Sequence, residues 1–314
     1  MSSPIDPTTD HYQREDDVLE RIAKIVAPDA VARGEVYGGD DAAVLRPFAG
    51  QAVVSTDVAV WGVHLDRDLF SLTDLGYKAV GAALSDLAAV GARPRGLVVA
   101  VTAPAGTDLD ALHRGIAEAA ALTGCPVVGG DLSSGREVCV AVTVFGECPS
   151  RGAVLRSGAR PGDELLVTGP LGRAAAGLRR RRAGAELADE LVEAHRHPWP
   201  LIAEGIAARG ARVHAMMDLS DGLGLDLHRM ADASRVGFVL DEIPVADGAT
   251  GDEARGGGED YELLMATDNS ARLRLIFEDR GLRAPLRLGT VVADPAVRTA
   301  GGEPFPPYGF EHRL

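Results

Sequence analysis

Six short Asp-bearing signatures constrain this chain more than any other feature: GGDDAAVL (Gly38–Leu45), STD (Ser55–Asp57), SDLAAVGA (Ser85–Ala92), GGD (Gly129–Asp131), DLSDG (Asp218–Gly222) and GGEDYE (Gly257–Glu262). Several sit at the ends of apolar runs or inside them, where an unpaired carboxylate is costly to desolvate. A fold that buries them must bring them partners. With 32 Lys and Arg against 46 Asp and Glu, the simplest partner for converging carboxylates is a hard divalent cation, which takes oxygen ligands.

At 314 residues and 46% apolar content the chain can build more than one core, so two domains are expected. A net charge of −14 argues against nucleic acid or an anionic membrane as partner. An anionic ligand such as a phosphate remains compatible if metal ions hold it. Cys125, Cys139 and Cys148 match no zinc spacing, and neither a signal-peptide pattern nor a bilayer-length apolar run is present. The chain therefore reads as cytoplasmic and reduced, its cysteines buried or half-buried in a turn and a strand.

The first fifteen residues, rich in Ser, Pro, Thr and Asp, read as a flexible tail before a helix over Asp16–Val26. Gln51–Thr56 and Arg95–Ala103 read as strands, the first ending at STD. Between them Leu72, Leu75, Ala79, Leu87 and Val90 recur at helical spacing, which predicts a helix over Ser71–Val90 with Asp86 on or beside a packed face. A helix over Asp108–Thr123 starts at an Asp cap, and strands follow at Pro126–Val128 and Glu137–Glu147. The turn-rich stretch Pro149–Gly162 separates this mixed α/β half (16–148) from a second α/β unit (149–314). That unit has a strand at Leu165–Thr168 and helices near Arg173–Arg182, Glu186–His195, Leu201–Arg209 and after Gly222. Further strands are expected around Phe238, Glu262–Thr267 and Leu286–Val292. The run Arg179–Arg182 reads as a solvated helix face.

No GxxxxGK[ST] loop occurs, and the protein-kinase catalytic and magnesium loops are missing, so two familiar nucleotide-binding solutions are excluded. The alternative written here is indirect: carboxylates hold Mg²⁺, and Mg²⁺ with backbone amides of glycine turns holds the anion. Singly, each motif has a plainer reading. Asp40 and Asp41 can close a turn, STD can be an ordinary strand end, and one carboxylate of DLSDG can cap the following helix. GGEDYE reads as a tight acidic turn leading into a strand from Tyr261. Asp86 is the sharpest case, because Leu84, Leu87 and the small residues around it leave a carboxylate in apolar, close-packed surroundings.

Taken in order, STD followed by GVH (Gly62–His64), DLGYKAVGAALSDLAAVGA, GGD, RSGARPGD (Arg156–Asp163), DLSDG and GGEDYEL resemble the thiamine-monophosphate kinases. That family belongs to a superfamily with aminoimidazole ribonucleotide synthetase, selenophosphate synthetase and a hydrogenase maturation factor. The resemblance runs from about Asp16 to the C-terminus and implies an α/β (α+β) fold of two synthetase-like domains, the first β-rich and dimerising. It implies transfer of the γ-phosphate of ATP to thiamine monophosphate by a homodimer, with the site in a groove between domains and subunits. Carried onto matching positions, Asp41, Ser55, Thr56, Asp57, Asp86, Asp131, Asp218 and Asp221 resemble magnesium ligands, some through water or main-chain oxygen. Gly130, Asp131, Arg156 and Ser220 resemble ATP contacts, and His64, Glu259 and Phe310, the last in the GFEH segment, resemble the positions that touch the thiamine phosphate. Ala83 stands where the family commonly carries Asn, and Leu132 where it often carries Thr. The superfamily siblings fit less well, because no cysteine precedes Cys125 and no GVGTK-like segment occurs. A nucleotide-binding homologue without turnover, or another ATP-using synthetase, is the competing expectation.

Overall fold

The computed structural model describes residues 15–28, 30–38, 40–149 and 151–311. The tail expected over the first fifteen residues lies outside them, apart from Glu15, which opens the first helix. The order of elements in the first half is α1 (Glu15–Val26), β1 (Gln51–Val60), α2 (Leu72–Ala89), β2 (Arg93–Ala103), α3 (Leu109–Thr123), β3 (Val127–Ser134) and β4 (Cys139–Cys148). The second half continues with β5 (Glu164–Val167), α4 (Arg173–Arg182), α5 (Glu190–Arg196), α6 (Ile202–Ala211), β6 (Ala215–Asp218), α7 (Leu223–Ser234) and β7 (Gly237–Leu240). It ends with α8 (Gly251–Gly256), β8 (Leu263–Thr267), α9 (Ser270–Asp279), β9 (Leu286–Val292), β10 (Arg298–Ala300) and β11 (Glu303–Pro304).

The first sheet has four strands in the order β1-β4-β2-β3, with β3 parallel to β2 and the other pairs antiparallel. Its inward valines, Val140, Val142 and Val144 of β4 among them, pack on Leu75, Leu84 and Leu87 of α2 and Leu112 and Ile116 of α3. The second sheet has seven strands in the order β11-β10-β7-β9-β5-β8-β6. Its central strands are buried on both faces: Leu165 and Val167 join a core with Leu223, Leu227 and Met230 of α7, while Leu166 joins one with Ala207 and Ala208 of α6 and Phe277 of α9. Core strands covered on both sides can be apolar at successive positions, as β5 is.

Helix α2 positions the functional groups. Ser71 and Asp74 close a capping box at its start, fixing its register. Its small residues let neighbours approach, and at Gly205 of α6 an added Cβ would come within 2.1 Å of the Ala88 carbonyl oxygen. Ala88 and Ala89 of α2 share a core with α6, and Val192 of α5 joins the core of the first sheet. The helix is thus packed between elements of both halves and buried almost all round, which explains its low amphipathicity.

Several boundaries differ from the sequence reading for identifiable reasons. Strand β1 runs on to Val60 because Val58–Val60 keep the alternation and pair with Cys139–Ala141 of β4, so STD lies inside the strand and not at its end. Strand β3 extends through GGD to Ser134, paired with β2. Helix α5 starts at Glu190, where Asp189 accepts the Leu191 and Val192 N–H groups. Strand β8 starts at Leu263, two residues after Tyr261, whose φ of 50° is incompatible with a strand. Asp108 caps α3 as expected. The arginine run is a solvated face as expected, with Arg179, Arg180 and Arg182 exposed, and it also makes surface contacts, Arg179 to Glu253, Arg180 to Asp189 and the half-buried Arg181 to the Leu69 and Ala185 carbonyls.

Candidate active site

Two successive residues of α2 reach into the two halves of the chain. Asp86 accepts a 2.6 Å hydrogen bond from Ser55 Oγ of β1, and Ser85 Oγ donates at 2.6 Å to Asp218 Oδ2 at the end of β6. Asp57 lies two residues beyond Ser55, on the same inward face of β1, because strand side chains alternate. Burial raises the pKa of all three carboxyl groups. Asp218 is pushed up to about 7 by burial and by repulsion from Asp86, against the help of Ser85. Asp57 is raised by burial and by Asp86 and Glu259, while the Val58 N–H and His64 act the other way. Asp86 is raised by burial, offset in part by Ser55 and by the guanidinium of Arg156. A buried carboxylate and two half-buried ones, with Asp86 repelling both others and Arg156 offsetting its charge only in part, make an electrostatic demand for a cation.

The DLSDG and GGEDYE segments are laced together beside this group. Glu259 N–H donates to the Ser220 carbonyl at 2.8 Å and Tyr261 N–H to that of Leu219 at 2.9 Å. The close approach needs glycine: a Cβ on Gly258 would lie 2.6 Å from the Ser220 oxygen. Glu259 and Tyr261 have φ of 69° and 50°, left-handed values that cost energy in residues with side chains and concentrate at functional sites. The Tyr261 hydroxyl is held well above its usual pKa by burial and then by Glu259, Asp57, Asp218 and Asp86, so this ring stands among all four carboxylates. Glu259 Oε2 is 2.8 Å from Lys78 Nζ and 3.4 Å from His195 Nδ1.

Its neighbour Asp260 turns the opposite way. Gly172 begins α4 without a side-chain cap. Asp260 supplies one, accepting from Gly172 N–H at 2.5 Å and Ala174 N–H at 2.9 Å, while burial pushes its pKa up to about 6. Glu262 is likewise structural, held by Thr168 and Arg283.

The remaining sequence candidates surround this centre at different removes. Asp221 is paired with Arg229 at 2.5 Å, and Arg229 also holds Asp226 at 2.7 Å. Neither Asp218 nor Asp221 caps α7, which begins at Gly222 with no side-chain cap. The Phe310 N–H donates to the Asp221 carbonyl at 2.9 Å, laying the exposed C-terminal strap across the start of α7. His64 accepts the Val60 N–H on Nδ1 at 3.0 Å, close enough to Asp57 to favour its ionised form. Thr56 faces the other side of β1, where its hydroxyl meets Thr143, so its side chain is directed away from the carboxylates. Gly130 and Asp131 lie exposed on β3, opposite Val99 and Ala100 of β2. The loop bearing Asp41 is exposed and fastened to the same region by Gly38 N–H donating to the Val128 carbonyl at 2.9 Å. An open cleft of about 550 Å³, lined by Arg255, Gly256, Gly257, Tyr308 and Gly309, flanks the GGEDYE turn.

Among the described residues no three His, Cys, Asp or Glu side chains close on a single metal position. The fit to a hard divalent cation is chemical: oxygen donors only, and carboxylates whose charge burial disfavours and Arg156 offsets only in part. Ser85, Lys78, Tyr261 and Arg229 belong to the arrangement without having been singled out in the sequence. A lysine inside the Gly/Ala-rich α2 run, and a serine beside its aspartate, were the available signals.

Comparison with known proteins matches this architecture. Residues 39–148 match the AIR synthase related protein N-terminal domain and residues 160–301 its C-terminal domain. Two such units in tandem define a class of two-sheet α/β proteins. Within it, the chain is 37% identical over 281 residues to the thiamine-monophosphate kinase of Mycobacterium tuberculosis H37Rv, covering 82% of this chain and 84% of that one. The crystal structure of thiamine-monophosphate kinase from Stenotrophomonas maltophilia K279a superposes with a TM-score of 0.80 at 31% identity, covering 92% and 97%. AaThiL complexed with AMPPCP and TMP gives a TM-score of 0.75 at 26% identity, covering 95% and 97%. The chain belongs to the thiamine-monophosphate kinase family.

Proposed function

We propose that this protein transfers the γ-phosphate of ATP to thiamine monophosphate, giving thiamine diphosphate and ADP. The observation that carries the reading is the grouping of the buried Asp218 with the half-buried Asp57 and Asp86, all three raised in pKa by burial, beside a Glu259 held in a left-handed turn. A relative with 31% identity and the same fold is a thiamine-monophosphate kinase, and AaThiL has been solved with an ATP analogue and TMP.

The acceptor is a phosphate oxygen with a second pKa of about 6, so it is largely dianionic at neutral pH and needs no strong base. The obstacle is repulsion, about 4 kcal/mol for each charge pair at 4 Å and an effective dielectric of 20. Bound Mg²⁺ would offset that repulsion and share the charge of the transferring phosphoryl group. Asp57, Asp86 and Asp218 with Ser55 are the inner candidates to hold it. Asp41, Thr56 through its main chain, Asp131 and Asp221 are outer ones. Gly130, Asp131, Arg156 and Ser220 are assigned to the nucleotide. His64, Glu259 and Phe310 are assigned to the acceptor, Phe310 offering a ring face to the thiazolium. Transfer is direct and in line, with no phosphoenzyme.

The same reading divides the chain at 148/149 into two units and makes it a cytoplasmic homodimer. Among the described residues no helix is long and apolar enough to cross a membrane. The outer face of β1 supports pairing, since Val54 is 64% and Val58 42% exposed on a regular strand. A coupled assay for ADP with ATP, Mg²⁺ and thiamine monophosphate tests the function: turnover that needs all three supports it, and none with any of them overturns it.

A further inference from the structure

We propose that Lys78 is a positioning residue that sets Glu259 apart from the other carboxylates of the site and holds it for the acceptor. This rests on the acceptor role assigned to Glu259 above. Lys78 projects from α2, two helical turns before Asp86, and is 2% exposed. Its ammonium donates to the His195 carbonyl at 3.0 Å and lies 2.8 Å from Glu259 Oε2. The first contact fixes the ammonium to the end of α5, so the second fixes the carboxylate. The Glu259 main chain is pinned independently by its N–H bond to Ser220. Side chain and backbone are then both held before any ligand arrives, which is the condition for precise recognition.

The same contact sorts the four carboxylates around Tyr261. Asp57 and Asp218 are raised in pKa by burial and by repulsion from Asp86, and Asp86 by burial against the pull of Arg156, whereas Glu259 has a buried ammonium, that of Lys78, in direct contact. A divalent cation is drawn to uncompensated charge, so Lys78 makes Glu259 the poorest metal ligand of the group and leaves its Oε1 for a donor on the acceptor. His195 does not compete as a cation: it is buried against Phe70, and burial and Lys78 keep its imidazole neutral.

The test compares Lys78→Met, Lys78→Arg, Glu259→Gln and the double variant Lys78→Met/Glu259→Gln. Steady-state kinetics vary ATP and thiamine monophosphate separately, and Mn²⁺ binding is followed by electron paramagnetic resonance without nucleotide. The expected result for Lys78→Met is an acceptor KM raised about tenfold or more with the ATP KM within about twofold. Mn²⁺ should bind more tightly or in greater number, because Glu259 has lost its cation. Lys78→Arg should recover part of the acceptor KM, and the double variant should be no worse than Lys78→Met, since both changes break one contact. Equal losses toward both substrates, an additive double variant or an unchanged Mn²⁺ isotherm would overturn the proposal. If Lys78→Met does not fold, the cycle of Lys78→Arg with Glu259→Gln decides by the same additivity criterion. Absence of turnover in the unaltered protein overturns the functional reading instead, and the Mn²⁺ isotherms then decide the role of Lys78 by themselves.

Discussion

Ser85 Oγ donates to Asp218 Oδ2 at 2.6 Å, joining residues 133 apart in sequence and tying α2 to the end of β6. Asp218 is buried, and this hydroxyl is its side-chain donor. Ser85→Ala leaves a desolvated carboxylate with less support, at a cost of about 1–3 kcal/mol. Urea unfolding without divalent cations should show that loss at pH 8 and less of it at pH 5, where the carboxyl is largely protonated.

Asp218→Asn should separate stability from activity. The folded carboxyl has a pKa of about 7 against an ordinary 3.8, so the folded state binds the proton more tightly. Its burden on stability is absent below about 3.8 and grows as pH rises through about 7. In divalent-free buffer the amide variant should therefore be more stable than the parent at pH 8 and similar to it at pH 4. Its turnover, and that of Asp86→Asn, should fall by orders of magnitude because a charged oxygen is lost where transition-state charge is shared. Near-normal turnover in both would remove these residues from the metal assignment.

His195 gives the opposite pH dependence. Burial first, then Lys78 and Arg182, lowers its pKa from 6.5 to about 2. The unfolded chain takes up a proton near 6.5 that the folded state refuses, so the contribution of this group is intact above 6.5 and is lost as pH falls toward 2. His195→Gln should flatten the decline of the urea midpoint between pH 7 and pH 4. A decline as steep as in the parent would show that other groups govern it.

Most of the regular structure was legible: α1, α2 and β4 fall where their apolar residues recur, and α3, α4 and β9 fall close to their expected ranges. What could not be read was which side chains meet across the fold. DLSDG and GGEDYE each read as local turns, whereas they are two halves of one backbone pairing, Glu259 to Ser220 and Tyr261 to Leu219. That pairing forces positive φ on two non-glycine residues, which is why the strand expected from Tyr261 begins later. Asp260 was legible as an acidic turn residue but not as the cap of a helix 86 residues away. Asp221 reads as a ligand or cap, whereas its Arg229 partner lies eight residues, about two helical turns, further along α7. Strands β6, β10 and β11 and helices α8 and α9 are not legible in the sequence, all but α9 being 6 residues or shorter.

The paired turns supply a direct test. Gly258→Ala places a methyl group against the Ser220 carbonyl, where the ideal Cβ lies 2.6 Å from the oxygen, in a contact between two backbones that cannot yield as a flexible side chain would. Activity should fall by at least about tenfold, with a stability loss of about 1–3 kcal/mol from overpacking. Full activity would mean that the lacing of the two turns does not position the site.

The last prediction concerns the acceptor. Phe310 is placed by its N–H bond to the Asp221 carbonyl, so its ring is attached to the turn that carries Asp218 and Ser220. Its main-chain bond does not depend on the side chain, and Phe310→Ala should leave the strap in place while removing the ring face assigned to the thiazolium. The variant should raise the KM for thiamine monophosphate or lower kcat/KM, with ATP affinity almost unchanged. Free thiamine should be a poor acceptor in the unaltered protein, because its hydroxyl is not ionised at neutral pH and none of the assigned residues is a base positioned to take its proton. Product formation with both acceptors, and nucleotide binding measured separately, check the assignment. Rapid phosphorylation of thiamine, or an equal loss of ATP binding in Phe310→Ala, would place Phe310 elsewhere in the reaction.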